Sequence, residues 1–216
     1  MSYLLKLFRD ELAPNAKVIP GLQSQHTITY IWKGSASVNG RLLLADSAVY
    51  SEDFAAIKAG PEGALLLRWE LVPEADPLHL LQGDGVDSIL CKSRHIRMLE
   101  MVPTSKWLFR LDTIIGFEGA TGLHAHPGSG IRCLVDGEMH VRSEKGESSD
   151  NTQPGDTWYE EGSYPVVSTG SKATFLRGMV LPPEFDKYPY TVYWIEGVQP
   201  SGRRYKCYFQ KAITLR

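Results

Sequence analysis

Two histidines separated by a single alanine are the residues of this chain best suited to chemistry. His124 and His126 stand at positions i and i+2 of a short segment that precedes an apolar run. Side chains two residues apart share one face of a β-strand, so this spacing directs both imidazoles to the same place. Neutral imidazole nitrogens are good ligands for transition metals. The pair therefore indicates a metal site, and the alternative is two polar residues on an exposed strand.

Short strands are expected to position this pair. Apolar or alternating runs are separated by clusters of Gly, Pro, Asn and Asp, a pattern typical of antiparallel sandwiches and barrels. The predicted strands are 3–8, 27–32, 41–45, 64–72, 95–102, 107–115, 131–135, 174–181, 191–195 and 205–215. The best helical candidate is 51–59, opened by a Ser51 cap and short enough to be a loop. The pattern predicts an all-β chain.

Composition excludes several classes of function. The chain has 216 residues, of which 43% are hydrophobic, and a formal net charge of -2, so it can bury a large core but has no basic surface for nucleic acid. No apolar run approaches the roughly 20 residues that span a bilayer, and the N-terminus lacks the layout of a secretory signal. Three widely spaced cysteines indicate neither a disulfide framework nor a structural zinc site. We expect a cytoplasmic protein that has no nucleic-acid or membrane partner.

A weak internal repeat bears on the number of domains. Residues 21–25 echo residues 122–126, with glutamines where the second copy has histidines. Residues 46–74 also align without gaps with residues 156–184. Self-similarity of this kind indicates a duplicated unit.

The repeat predicts two similar units in one chain. We place them at residues 1–103 and 104–216, and the segment 73–85 is expected to begin the connection between them. The second unit carries the histidine pair, and the first carries none at the equivalent positions.

The segment around the two histidines resembles the motifs of the cupin superfamily, which are small jelly-roll barrels, also called double-stranded β-helices. The first cupin motif reads G-(x)5-H-x-H-(x)3,4-E-(x)6-G. Here His124 and His126 are followed by three residues, Gly130, six residues and Gly137. The second motif, G-(x)5-P-x-G-(x)2-H-(x)3-N, begins at Gly155. The resemblance implies a bicupin with a degenerate N-terminal barrel and a metal site in the C-terminal barrel.

The departures from these motifs concern the metal ligands. Gly130 occupies the glutamate position of the first motif and has no side chain to ligate a metal. The third histidine of the family falls on Pro165 or Val166, depending on which glycine anchors the count. The resemblance therefore implies a C-terminal site that is itself partly degenerate.

Glu160 is the nearest available third ligand. With His124 and His126 it would form a two-histidine, one-carboxylate face that leaves coordination positions open. The alternative is a solvated loop carboxylate. Glu161 replaces it if the strand register shifts by one residue, because such a shift exchanges the faces of a strand.

In the cupin interpretation Arg132 points into the barrel, where the motif's glutamate side chain is missing. A buried guanidinium needs a partner. That partner is either Glu160, which makes a structural ion pair, or the carboxylate of a bound molecule, which makes Arg132 a substrate-binding residue. Arg177 is a second candidate of the same kind.

Three aromatic residues, Trp158, Tyr159 and Tyr164, surround the second motif and would line the mouth of a pocket in the family's architecture. Pockets are lined mainly by apolar and aromatic side chains, as are cores, so both placements stay open.

Two functions of different classes follow. The first is a metal-dependent cupin enzyme acting on a small anionic or carbonyl-bearing molecule, with a dioxygenase-like activity favoured over a lyase or an isomerase. Its metal is Fe or Mn by preference and otherwise Zn or Ni, and Glu160 and Arg132 are its catalytic candidates. The second is a sensor or binding protein for a small ligand that has lost its metal. The resemblance also implies a homodimer, although two barrels in one chain already satisfy that packing.

Overall fold

A computed structural model describes residues 2–19, 26–52, 56–101, 105–145, 147–187, 191–197 and 204–215. The chain divides into two compact units, Met1–His95 (unit 1) and Ile96–Arg216 (unit 2). The boundary predicted between residues 103 and 104 lies outside the described residues, as do residues 21–25 of the predicted repeat. No helix of the described part is long and apolar enough to cross a membrane.

Unit 1 is a single antiparallel sheet of six strands. They are β1 (Tyr3–Leu12), β2 (His26–Val38), β3 (Arg41–Leu44), β4 (Ser47–Ser51), β5 (Ile57–Pro73) and β6 (Val86–His95). They lie in the order β3-β2-β5-β1-β6, and β4 pairs with β2. The Asn39-Gly40 turn has positive φ at both residues, as a two-residue hairpin turn requires, and joins β2 to β3.

Unit 2 is an antiparallel sheet of eight strands with two short helical segments. Its elements are α1 (Met98–Met101), β7 (Lys106–Ala120), β8 (Leu123–Ala125), β9 (Ser129–Ser143), β10 (Ser149–Thr152), β11 (Thr157–Glu160), β12 (Val166–Leu181), a 3-10 helix (Pro183–Lys187), β13 (Tyr193–Glu196) and β14 (Arg204–Thr214). The predicted all-β jelly-roll class is confirmed.

The two sheets share one strand order. Unit 2 follows the path β10-β9-β12-β7-β14, and β11 pairs with β9 as β4 pairs with β2. Each strand of unit 1 therefore has a counterpart in unit 2, while β8 and β13 are additions in unit 2. These two additional strands pair with each other, and β8 carries His124.

The helix predicted for residues 51–59 is wrong at both ends. Ser51 ends β4 opposite Thr27, and Ile57 begins β5 opposite Val38. Pairing with the long strand β2 outweighs the local helical pattern, because β-structure is decided by cross-strand packing more than by intrinsic preference.

Each unit has an apolar core on the inner face of its sheet. In unit 1 it includes Leu12, Ile31 and Leu66. In unit 2 it includes Leu134, Trp158 and Phe175. In unit 2 a row of buried charged side chains lies next to this core and forms the candidate site.

Candidate functional site

The two histidines lie together in the interior of unit 2. Their ring centroids are 5.1 Å apart, with the rings nearly perpendicular. The Nδ1 atom of His124 is 2.9 Å from the Gly122 carbonyl oxygen, and that of His126 is 2.6 Å from the Thr191 carbonyl oxygen. A carbonyl only accepts, so each Nδ1 carries the hydrogen and each Nε2 is left for another partner.

Burial keeps His124 neutral. Desolvation, and then the neighbouring His126, lower the pKa of His124 from 6.5 to about 4. At neutral pH its Nε2 atom is therefore a hydrogen-bond acceptor.

The turn of the second motif places Glu160 in the interior. Gly155, with φ of 101°, lets the backbone N–H donate to the Leu134 carbonyl, and the Leu134 N–H donates to the Asp156 carbonyl. These bonds set the register of β11 against β9, in which Glu160 lies opposite Gly130. Glu160 is 5% exposed, so it is not a solvated loop carboxylate.

Both carboxylate oxygens of Glu160 are engaged. Oε1 accepts a hydrogen bond of 2.8 Å from Trp158 Nε1. Oε2 is 2.9 Å from Arg132 Nη2 and 3.0 Å from His126 Nε2. Burial by itself raises the pKa of Glu160, but Arg132 and His126 outweigh it and hold the pKa well below its usual range. Glu160 is therefore ionised, and both ring nitrogens of His126 face oxygen atoms, the Thr191 carbonyl oxygen and Glu160 Oε2.

Arg132 lies behind Glu160, fully buried. Its Nη1 atom donates to the Gly130 carbonyl and, at 3.3 Å, to the Glu160 carbonyl. Of the two partners foreseen for Arg132, the structure places Glu160 beside it. Arg132 is not among the residues that line the neighbouring cavity.

The glutamate position of the first motif is closed by the backbone. A Cβ atom on Gly130 would lie 2.4 Å from the Gly178 carbonyl oxygen and 2.7 Å from Met179 Cγ, and 3.1 Å from Arg132 Nη1. Only glycine fits at such distances. The third histidine position is likewise filled by an apolar residue, since Val166 is buried and pairs with His124.

A row of charged side chains crosses the inner face of the sheet. Arg132 on β9 lies opposite Arg177 on β12, which lies opposite Asp112 on β7. Asp112 accepts from Arg177 Nε at 2.7 Å, Arg110 Nε at 2.9 Å and the Tyr205 hydroxyl at 3.0 Å. These three donors hold one carboxylate between two guanidinium groups.

The row carries an excess of positive charge. Arg110, Arg132 and Arg177 give three positive charges, and Glu160 and Asp112 give two negative charges, so the sum is +1 before any charge on an imidazole. All five side chains are buried, where an unbalanced charge is costly.

A small cavity of about 30 Å³ opens beside this row. Its lining residues are Ile114, Phe117, Thr121, His124, His126, Met139, Glu160, Ser168, Phe175, Arg177 and Val192. The cavity is thus apolar on one side, with two imidazoles, a carboxylate and a guanidinium on the other.

The aromatic residues near the second motif do not line this cavity. Trp158 packs in the core with its ring centroid 5.5 Å from that of Phe175. Tyr159, the next residue along β11, points to the other face, and Tyr164 lies under Lys145, 4.8 Å from its Nζ atom. Neighbours on a strand face opposite sides, so Trp158 and Tyr159 could not both line one pocket.

The donor set does not fit a resident metal ion. Among the described residues, no three His, Cys, Asp or Glu side chains are arranged to hold one. The Glu160 oxygen nearest His126 already contacts the guanidinium of Arg132. Two imidazole nitrogens alone fall short of the three or four donors that stable protein sites supply.

Sequence reasoning missed Arg110, Asp112 and Thr191. Arg110 and Asp112 alternate with apolar residues in β7, a signal that two opposite charges share one face. No local signal marks Thr191, which acts through its backbone carbonyl and lies 65 residues from His126.

No protein-family model and no curated protein matches the chain. Solved structures do. A mutant of Bacillus subtilis oxalate decarboxylase is 15% identical over 88% of this chain and 71% of its own, with a TM-score of 0.57. The Lactobacillus farciminis oxalate decarboxylase–formate complex is 14% identical over 88% and 79%, with a TM-score of 0.57. Salicylate 1,2-dioxygenase from Pseudaminobacter salicylatoxidans is 10% identical over 95% and 75%, with a TM-score of 0.50. At these identities the likeness shows a shared fold.

Proposed function

Because this chain has the cupin fold, we propose that unit 2 binds a small carboxylate, in particular one with a neighbouring hydroxyl group, in the cavity beside His124, His126 and Arg177. The observation that carries the proposal is the wall of the cavity, where the guanidinium of Arg177 and two imidazoles surround a space that a single carboxylate, Glu160, also lines.

The groups on the cavity wall match the parts of such a ligand. Arg177 supplies a guanidinium, whose planar fork suits a carboxylate, and Asp112 holds it in place through Nε. His124 is neutral and presents an acceptor, which suits a hydroxyl donor rather than a carboxylate. The ligand's carbon atoms would contact Phe117 and Phe175.

The size of the cavity restricts the ligand to a few heavy atoms. Its volume of about 30 Å³ is far below the roughly 300–1,000 Å³ of pockets that hold drug-sized ligands. Formate is nearest to this size, acetate and glycolate require the lining side chains to move slightly, and an aromatic acid requires a larger rearrangement.

Isothermal titration calorimetry tests the proposal with acetate, glycolate and acetamide, the neutral isostere of acetate. We expect glycolate to bind more tightly than acetate, and acetamide to bind at least about tenfold more weakly than acetate. Arg177→Met is expected to weaken acetate binding at least tenfold, while Arg41→Met, on the exposed strand β3 of unit 1, leaves it unchanged. His124→Gln is expected to remove the preference for glycolate. Equal affinity for acetate and acetamide would exclude carboxylate recognition.

A metal-dependent enzyme is the second candidate. One observation favours it: each imidazole has its Nδ1 on a backbone carbonyl, the arrangement that orients histidine ligands in metal sites. Elemental analysis of the purified protein decides. Near-stoichiometric iron, manganese, nickel or zinc that is lost in His124→Ala supports the enzyme, and metal-free protein supports the binding function.

The two units are further proposed to be copies of one barrel. Their common strand order supports this, as does a buried Asp–Arg ion pair on equivalent strands: Asp10 with Arg68 on β1 and β5, and Asp112 with Arg177 on β7 and β12. The homodimer and the cytoplasmic location stay predictions.

A further inference from the structure

We infer that the guanidinium of Arg132 is the built-in cation of the unit 2 site and stands in for the metal ion that the cupin motifs imply. The inference concerns the same site as the proposed carboxylate binding but does not depend on which molecule binds there. It rests on the position of Arg132, the loss of room at Gly130 and the contacts of Glu160.

Glu160 Oε2 lies between the imidazole nitrogen of His126, at 3.0 Å, and the guanidinium nitrogen of Arg132, at 2.9 Å. A metal ion bonded to this oxygen at about 2.1 Å would lie within about 5 Å of the guanidinium. Two positive groups at that distance in a buried site repel strongly.

Two changes from the motif occur on one face of β9. The motif's glutamate is Gly130, and the next residue on that face is Arg132. Arg132 Nη1 would lie 3.1 Å from a Cβ on Gly130, so the guanidinium occupies the neighbourhood that a motif glutamate requires. The chain has exchanged an anionic ligand for a cation there.

Arg132 makes few hydrogen bonds for a buried guanidinium. Among the residues that the structure describes, its buried Nε and Nη2 atoms have no hydrogen-bond partner, although Nη2 makes an ion pair with Glu160. A guanidinium held chiefly for hydrogen bonding would satisfy these donors. Arg132 therefore contributes mainly its charge, as a metal ion does.

Cobalt(II) titration tests the inference, because Co(II) bound by histidine and carboxylate has a visible absorption spectrum that free ion lacks. Wild type is expected to show no change at stoichiometric Co(II). The Arg132→Met variant removes the positive charge beside Glu160 and leaves this carboxylate next to two imidazoles. We expect the variant to bind one Co(II) ion at least about 100-fold more tightly than wild type does. Its melting temperature should also rise when the metal is added. Arg132→Lys keeps the charge and is expected to behave as wild type.

A double variant checks that the new site is the one described. Arg132→Met with Glu160→Gln is expected to lose the cobalt spectrum. Stoichiometric metal bound to wild type overturns the inference, and so does a folded Arg132→Met that binds no better than wild type. If Arg132→Met does not fold, Arg132→Gln replaces it under the same criteria. If acetate does not bind, the proposed function is refuted, but the outcome of the cobalt titration is unaffected.

Discussion

Asp112→Asn offers a stringent test of the charged row. The substitution keeps the shape of the side chain but removes the negative charge that Arg110 and Arg177 share at 2.9 and 2.7 Å. Both guanidinium groups are at most 3% exposed, so neither can recover its hydration. Removing one partner of a buried ion pair costs about 3–5 kcal/mol. For a unit of this size that corresponds to a fall of about 10–20 °C in melting temperature.

Differential scanning calorimetry is the suitable assay, because the two units can unfold in separate transitions. Asp136→Asn is the matched control, since Asp136 is exposed in the same unit. A fall of less than about 3 °C for Asp112→Asn, no larger than the control, would refute the view that this carboxylate neutralises the row.

Two further predictions concern the candidate site. The pKa of His124 is about 4 in the folded protein and 6.5 ordinarily, so the neutral form stabilises the fold fully above pH 6.5, and this stability is lost as pH falls towards 4. Between pH 6.5 and pH 4, the free energy of unfolding measured with urea should fall by about 3 kcal/mol more in wild type than in His124→Gln. Equal falls in the two proteins would contradict this prediction. Trp158→Phe removes the donor to Glu160 Oε1 and should lower the free energy of unfolding by roughly 1–3 kcal/mol. The control is Trp32→Phe, at a half-buried position of unit 1. If both variants lower the free energy of unfolding equally, the hydrogen bond from Trp158 does not contribute to stability.

Local sequence patterns were sufficient for the fold class and for the pairing of the histidines. Alternation and turn residues predict strands because the strand period is two, and the same period places His124 and His126 on one face. The Pro-Gly-Asp turn at 154–156 likewise indicates where β11 begins, and hence where Glu160 lies.

The partners within the site could not be predicted in this way. Whether Arg132 meets Glu160 or a ligand depends on the register of β9 against β11, and the contact of Asp112 with Arg177 joins residues 65 positions apart. No local pattern encodes such registers, since they are set by the packing of whole sheets. For the aromatic residues a local rule was available, because Trp158 and Tyr159 are adjacent in a strand and face opposite sides.

The contact between Arg132 and Glu160 has a consequence for the conditions under which this protein works. A positive charge that belongs to a side chain cannot dissociate, exchange with a competing ion or change oxidation state. The contribution of Arg132 to the electrostatic potential of the site is therefore fixed when the chain folds, and it persists through chelators, metal starvation and oxidants alike.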